Sequence, residues 1–568
     1  MTVDSLARAR DRQPAARPRR IWQHRRLAML ARLARGGVAS GWLAPASLAA
    51  VAGLATWVAT RHGPGLSPDS VTYISAARNL AAGHGYVDLT GQANTTFAPG
   101  FSALLAAGQW LGLSVLTAAR ALNAGAFAGI VLLSWVLVRR HVDSRTLALV
   151  TTGLIACSPA LLNVTDEAWS EPLFCVLLLL FVLVIEDAIQ APIRSPRLVA
   201  WAGAVAGFAF LIRYAALALF ITGVLALVAF RPRLGLRARL WDAAVFTTVG
   251  AVLPALWIAR NATSHATYLL GPRVVNPDGV DRILTLWLGG IKELVVPTTA
   301  VALWALLALP TAALMAFGLR AVVHGRHDQS GGRRSVVPLV AFVGVYSVFI
   351  VVSGKLSGSS VDSRTVMPVY VPLVLLGSWL VSRAADGAAT TRWRRLVDRR
   401  VLLAVGGAAL AFYVAWFTTV AWSDGQVGRG YAAVSVVHSA LARRVRRLPP
   451  GAVVITNAPW ALYFASGHQP VEPQPGPLGP ASSLVPPTVD ELADRACSAP
   501  VYVAWYGKPD AHATRGRLPA RALQRVQRLA DGTLYRVDGT PGQCSPGPAD
   551  RDGRTSAART ESPSTAQG

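Results

Sequence analysis

Along most of this chain the polar residues are confined to short clusters, and between them run apolar stretches with no alternation of period two. A bilayer core about 30 Å thick needs roughly 20 apolar residues as helix. Runs near that length lie at 42 to 60, 116 to 138, 146 to 163, 170 to 187, 198 to 212, 214 to 230, 241 to 259, 297 to 319, 335 to 352, 366 to 382 and 401 to 422. They predict an α-helical polytopic membrane protein with about eleven transmembrane helices. The apolar run from 198 to 230 is divided in this reading. A single helix would hold Arg213 near the bilayer centre at a cost of about 3 kcal/mol, whereas a break at Arg213 and Tyr214 puts the charge at an interface.

Charge asymmetry orients the helices, because short cytoplasmic loops collect Lys and Arg. With the N-terminus in the cytoplasm, the inner segments are the leader with Arg17, Arg19, Arg20, Arg25 and Arg26, then Arg139 to Arg145, Arg194 to Arg197, Arg231 to Arg239, Arg320 to Arg334 and Arg383 to Arg400. The outer segments hold Asp69, Asp88, Asp166, Glu167, Glu171, Asp278, Asp281 and Asp362. Four regions follow: a basic cytoplasmic leader at 1–41, a transmembrane domain at 42–422 with a first outer loop at 61–115, an extracytoplasmic domain at 423–544 and a disordered tail at 545–568. The leader lacks a small-residue cleavage site after a short apolar core, which predicts a retained first helix. In the extracytoplasmic part, AVVIT at 452 to 456, PVYVAW at 500 to 505 and TLYRV at 533 to 537 are β-rich runs between Pro and Gly turns, which predicts a small α/β domain.

Composition agrees with a membrane setting: of 568 residues 53% are hydrophobic and 15% charged, with a mean hydropathy of +0.41. A net charge of +26 raises the question of nucleic acid. The arginines, however, fall between apolar runs and form no continuous basic face, so no nucleic-acid partner is expected. No His/Cys cluster has metal-ligand spacing, and no cofactor or divalent metal is expected.

The first outer loop, LSPDSVTYISAARNLAAGHGYVDLTGQANTTFAPGFSALLAAG at 66 to 108, is the most informative stretch. Apolar residues from Val71 to Ala82 recur at helical spacing, which predicts a helix along the membrane surface with Asp69 at its start. An acid there is also what helix capping and the helix dipole favour. A second stretch, TDEAWSEPLF at 165 to 174, sets Asp166, Glu167 and Glu171 near the outer surface. Glu167 and Glu171 are spaced to share one helical face. Glu171 opens an apolar run, where an unpartnered acid is costliest. Arg213 and Arg364 stand at outer helix ends, with Lys355 in the same loop as Arg364, and a guanidinium at that depth suits a phosphate. The plainer alternatives are that each Arg snorkels to the interface, or that Arg364 pairs with Asp362.

Pro68, Asp69, Tyr73, then Ala77, Asn79, Leu80, Gly83, Gly85 and Tyr86, followed by Pro99 and Gly100, resemble the first-loop signature of GT-C-type polyprenyl-phosphate-dependent glycosyltransferases. These are the superfamily of the protein O-mannosyltransferases and of the aminoarabinose and Rgt-like transferases. Ser170-Glu171-Pro172-Leu173, Arg364 with Pro368, and VVITNAPWALYFASGHQPVEPQP at 453 to 475 are similar to further segments of that superfamily. The resemblance implies a GT-C-like fold and assigns Asp69 to the catalytic centre. Ser70 departs from the pattern, since many relatives carry a second acid there. The implied activity is an inverting transfer of a hexosyl or pentosyl group from a polyprenyl-phosphate donor to a protein, lipid or glycan acceptor on the outer face of the plasma membrane. Asp69, with Asp166, Glu167 and Glu171, would be catalytic; Arg364, Arg213 and Lys355 would hold the donor phosphate; His84 would add a donor. A transporter or flippase of a lipid-linked intermediate is the competing class, which calls for paired halves with broken helices.

If the C-terminal part is outside the cell, Cys497 and Cys544 pair. Thiol labelling of the non-reduced protein is expected to leave both unmodified.

Overall fold

The computed structural model describes residues 39–88, 91–191, 193–231, 234–264, 268–271, 275–295, 335–358, 360–388, 399–456, 458–466, 499–507 and 523–537. The leader up to residue 38, the apolar run at 297 to 319, Cys497, Cys544 and the tail at 545–568 lie outside them. The helices are α1 (Ala39–Ala59), α2 (Pro68–Ala81), α3 (Gly100–Trp110), α4 (Val115–His141), α5 (Arg145–Ala156), α6 (Pro159–Thr165) and α7 (Glu171–Gln190). They continue with α8 (Pro196–Ile212), α9 (Leu217–Ala229), α10 (Leu236–Thr263), α11 (Val280–Val295), α12 (Val337–Ser357), α13 (Tyr370–Ala388) and α14 (Arg399–Val427). Among the described residues six helices are long and apolar enough to cross a membrane, or seven if α5 and α6 form one broken span. The bundle turns large apolar side chains outward, with Leu54, Trp201, Leu256 and Val348 all exposed, as lipid-facing helices do. This is a multi-pass membrane protein.

Local chemistry sets where the helices stop. The run at 146 to 163 is not one straight helix: it bends by 43° between α5 and α6. Pro159 lacks the N–H that would continue the ladder, and Ser158 caps the new helix by accepting from Leu161 N at 3.3 Å. At Arg213 the backbone is extended (φ −150°, ψ 134°), so α8 ends at Ile212, and a 3₁₀ turn at Tyr214–Ala216 leads into α9. The face shared by Glu167 and Glu171 does not form, because α7 begins only at Glu171, behind Ser170 and ahead of Pro172. Glu167 lies instead in the preceding loop, bridged to Gly65.

Glycines let two helices of this bundle meet backbone to backbone. In α8, Gly203 and Gly207 form a small-xxx-small pair against α10; a Cβ at Gly203 would overlap Phe246 O, and one at Gly207 would overlap Gly250 O. Pro99 and Gly100 act similarly, since a Cβ at Gly100 would come 2.7 Å from Leu211 O. The first-loop motif is thereby seated on the end of α8, next to Arg213.

After α14 the chain enters a four-stranded mixed sheet of β1 (Val453–Thr456), β2 (Val501–Tyr506), β3 (Leu523–Arg528) and β4 (Gly532–Val537), in the order β1-β2-β4-β3. β1 and β2 are parallel, and the other pairs are antiparallel. Leu441, Val445, Val454, Leu462, Ala504 and Leu534 form a core on this sheet. β3, LQRVQR, was not anticipated: it is a mostly exposed edge strand, and the charged side chains that suit an edge hide the strand pattern.

Gly207→Val is expected to destabilise the purified protein by about 1–3 kcal/mol through overpacking. Gly344→Val, where a Cβ meets nothing within 4 Å, should leave the detergent melting temperature unchanged.

Candidate active site

The site is organised around one carboxylate. Glu171 heads α7 with a side chain that is 0% exposed, at a depth where a lone charge would be costly. Two cations neutralise it. Arg213 NH1, from the break between α8 and α9, lies 2.7 Å from Glu171 Oε1. Arg364, in the short helix Ser363–Val366, donates to the same oxygen through Nε. Arg364 then extends NH1 to Asp69 Oδ2 at 2.7 Å. Asp69 is 34% exposed, so of these four groups it is the one that solvent or an incoming molecule reaches most readily. Asp362 does not pair with Arg364; it caps that short helix in a capping box with Thr365.

Neutral side chains fix the geometry. Arg364 Cζ stands 4.0 Å over the ring of Trp169, a cation–π contact that a lysine would reproduce poorly. Trp169 Nε1 donates to Ser67 Oγ at 2.8 Å, and Ser67 is the N-cap of α2. Tyr73 Oη is hydrogen bonded to Ser170 Oγ at 3.0 Å, and Arg213 NH1 donates to the same hydroxyl at 3.2 Å. Burial pushes the Tyr73 phenol above its usual range, keeping it neutral. Ser70 is fully buried and bonded to Ser67 Oγ at 3.1 Å. An acid at that position would therefore enter a dry contact, and the second carboxylate reached through Arg364 is Glu171.

Asp166 and Glu167 join a second cluster, held by a residue the sequence reading missed. Arg429, just beyond α14, places NH1 2.9 Å from Asp166 Oδ1 and Nε 3.7 Å from Glu167 Oε1. Burial pushes both carboxyls up, against the pull of Arg429. Nothing local marked it, because residues 423–544 carry many arginines and the pairing joins two distant segments.

The remaining predicted residues lie outside the ion-paired cluster. Lys355 does not join the carboxylates: its Nζ donates to the backbone oxygens of Asn276 and Asp278 at 2.7 and 2.9 Å, so the ammonium staples a loop. Asn79 donates to Val87 O and Asp88 O, closing the turn after α2. Tyr86 donates to Phe97 O and Ala98 O and packs its ring edge-to-face on Trp257. His84 is exposed in a turn flanked by Gly83 and Gly85, both at positive φ. Pro99 precedes α3 as its N-cap. Among the described residues no group of three His, Cys, Asp or Glu is arranged to hold a metal ion.

No protein-family model and no curated sequence matches this chain. Solved structures do. The crystal structure of apo ArnT from Cupriavidus metallidurans superposes with a TM-score of 0.58 at 18% identity, covering 90% of this chain and 100% of that one. The same enzyme bound to undecaprenyl phosphate gives 0.57 at 17% identity over 89% and 100%. A mutant form of the arabinofuranosyltransferase AftD from Mycobacteria gives 0.51 at 17% identity, over 88% of this chain and 42% of that one. The chain shares its fold with these solved enzymes. Within this fold the Asp69–Arg364–Glu171–Arg213 cluster draws on α2, the short helix Ser363–Val366, α7 and the α8–α9 break.

Glu171→Gln leaves two guanidiniums without their shared acid, and is expected to cost about 3–5 kcal/mol of stability. Melting of the single variant and of E171Q/R213M should show the double variant recovering part of that loss.

Proposed function

We propose that this chain is a membrane glycosyltransferase that moves a sugar from a polyprenyl-phosphate carrier to an acceptor hydroxyl at the outer face of the plasma membrane, with inversion. The observation that carries the reading is Asp69: a partly exposed carboxylate whose guanidinium partner is shared with the buried Glu171. A phosphate arriving at Arg364 competes with Asp69 for that cation, because guanidinium binds phosphate in the same fork geometry as carboxylate. Released, Asp69 takes the proton of the acceptor hydroxyl. The hydroxyl oxygen bonds to the anomeric carbon from the face opposite the phosphate, the bond from that carbon to the phosphate oxygen breaks, and the polyprenyl phosphate departs with the electron pair. Its charge grows as it leaves, and Arg364 and Arg213 would stabilise it. No step calls for a metal ion.

The same reading gives the chain about eleven spans, a cytoplasmic N-terminus and an extracytoplasmic sheet-bearing part. The ArnT structure with undecaprenyl phosphate supports a polyprenyl-phosphate carrier for this fold. The transferred group is a hexosyl or pentosyl unit, and the acceptor is a protein, lipid or glycan hydroxyl.

Transfer of radiolabel from polyprenyl-phosphate sugars into membrane acceptors is expected for the wild type. Asp69→Asn should fall by about 10²- to 10⁴-fold at unchanged melting temperature. Full turnover by that variant, or carrier movement across the membrane without covalent product, would overturn the reading.

A further inference from the structure

The proposed step makes no use of Arg429, yet this side chain ties the stretch from Asn163 to Glu167, just before α7, to the end of α14. Its NH1 lies 2.9 Å from both carboxylate oxygens of Asp166 and donates to the backbone and side-chain oxygens of Asn163 at 3.2 Å. Its Nε is 3.7 Å from Glu167 Oε1, and NH1 is 3.8 Å from Asp424 Oδ2. Among the described residues it is the one cation in ion-pair contact with Asp166 or Glu167. Glu167 Oε2 is buried without a hydrogen-bond partner, and beyond Arg429 the other cation acting on that acid is Arg364.

The backbone beside Arg429 is sewn to the same place. Tyr431 N donates to Leu66 O at 2.8 Å, Gly65 N to Asp166 O at 2.7 Å and Ala168 N to Gly65 O at 2.9 Å. Gly430, at φ +54°, approaches so closely that a Cβ would overlap Leu66 O. Leu66 is three residues before Asp69, and Glu167 is four before Glu171. The exit from α14 therefore touches the roots of both acidic arms of the site.

Resting on the function proposed above, we infer that Arg429 is a positioning residue for the Asp69–Arg364–Glu171 cluster. As the counter-charge to Asp166 and Glu167, it holds the segment that delivers Trp169, Ser170 and Glu171, and so links the C-terminal part of the chain to the reacting groups. The charged and titratable groups that act on Glu167 are Arg429, Arg364, Glu171, Asp424, Asp166 and Tyr431; those on Asp166 are Arg429, Glu167 and Asp424.

Charge and tether make different predictions. Burial already raises both carboxyls, and Arg429 opposes the rise; removing it raises them further. An acid whose folded-state value lies above its unfolded value adds stability at low pH and loses it as pH climbs through the folded value. The full-length protein in detergent should therefore show an Arg429→Gln melting penalty that is small at acid pH, where both carboxyls are protonated, and widens as pH rises through their elevated folded-state values. The acid limb of its transfer activity should move to higher pH. Arg429→Lys should restore most of both. Gly430→Ala, which disturbs the same crossing without removing the charge, should lower melting by a similar amount at every pH. If R429Q does not fold, the double variant D166N/R429Q reports instead, with a flatter pH dependence than wild type. An R429Q penalty independent of pH and matched by G430A overturns the inference. Melting needs no turnover, so a wild type that transfers no sugar would defeat the proposed function while leaving this test decidable.

Discussion

Glu171 sits at the head of an apolar helix with no access to water, and the need to neutralise that one carboxylate organises the centre of the molecule. A lone buried charge would cost several kcal/mol, so Arg213 and Arg364 must both be delivered to it from distant parts of the chain. Each delivery requires a break in regular structure. Arg213 reaches Glu171 because α8 stops and the chain runs extended for one residue before α9. Arg364 reaches it from a capped four-residue helix. Two acids and two arginines then balance, and the surplus coordination of Arg364 falls on Asp69, nearer to water.

That arrangement joins stability to chemistry. Under the proposed function the site would handle phosphate and so need cations, and cations buried at that depth need anions to hold them. Glu171 is the permanent partner; Asp69 is the more exposed one. In that proposal the same guanidinium would be structural in one state and phosphate-binding in the next, with the neutral shell of Trp169, Ser170 and Tyr73 keeping it aimed.

The packing that supports this is of two kinds. Inside the bundle, backbone contacts through Gly203, Gly207 and Gly250 set the height of α8, and with it Arg213. At one end of the bundle, short bridges among Gly65, Leu66, Glu167 and Gly430 draw the first loop, the α6–α7 loop and the exit of α14 together. Both depend on residues without a Cβ, since hydrogen-bonded backbones meet more closely than side chains allow.

Much of the architecture was legible along the chain, because a bilayer imposes length and apolarity on each helix and pushes charge into the loops. The helices over the described apolar runs, the division at Arg213, the first-loop helix beginning near Asp69 and three of the four strands follow from such local patterns. So do the residues that converge, since Asp69, Glu171, Arg213 and Arg364 are charges set against an apolar background. What the chain could not disclose was pairing. Asp362 was the nearer acid to Arg364, but its side chain is consumed in capping. Lys355 lay in the same loop as Arg364 but turns to backbone carbonyls, and the bend at Pro159 sends Asp166 and Glu167 toward Arg429. Period and composition are properties of one segment, whereas an ion pair is a distance between two segments, and that distance is fixed only when the whole bundle has packed.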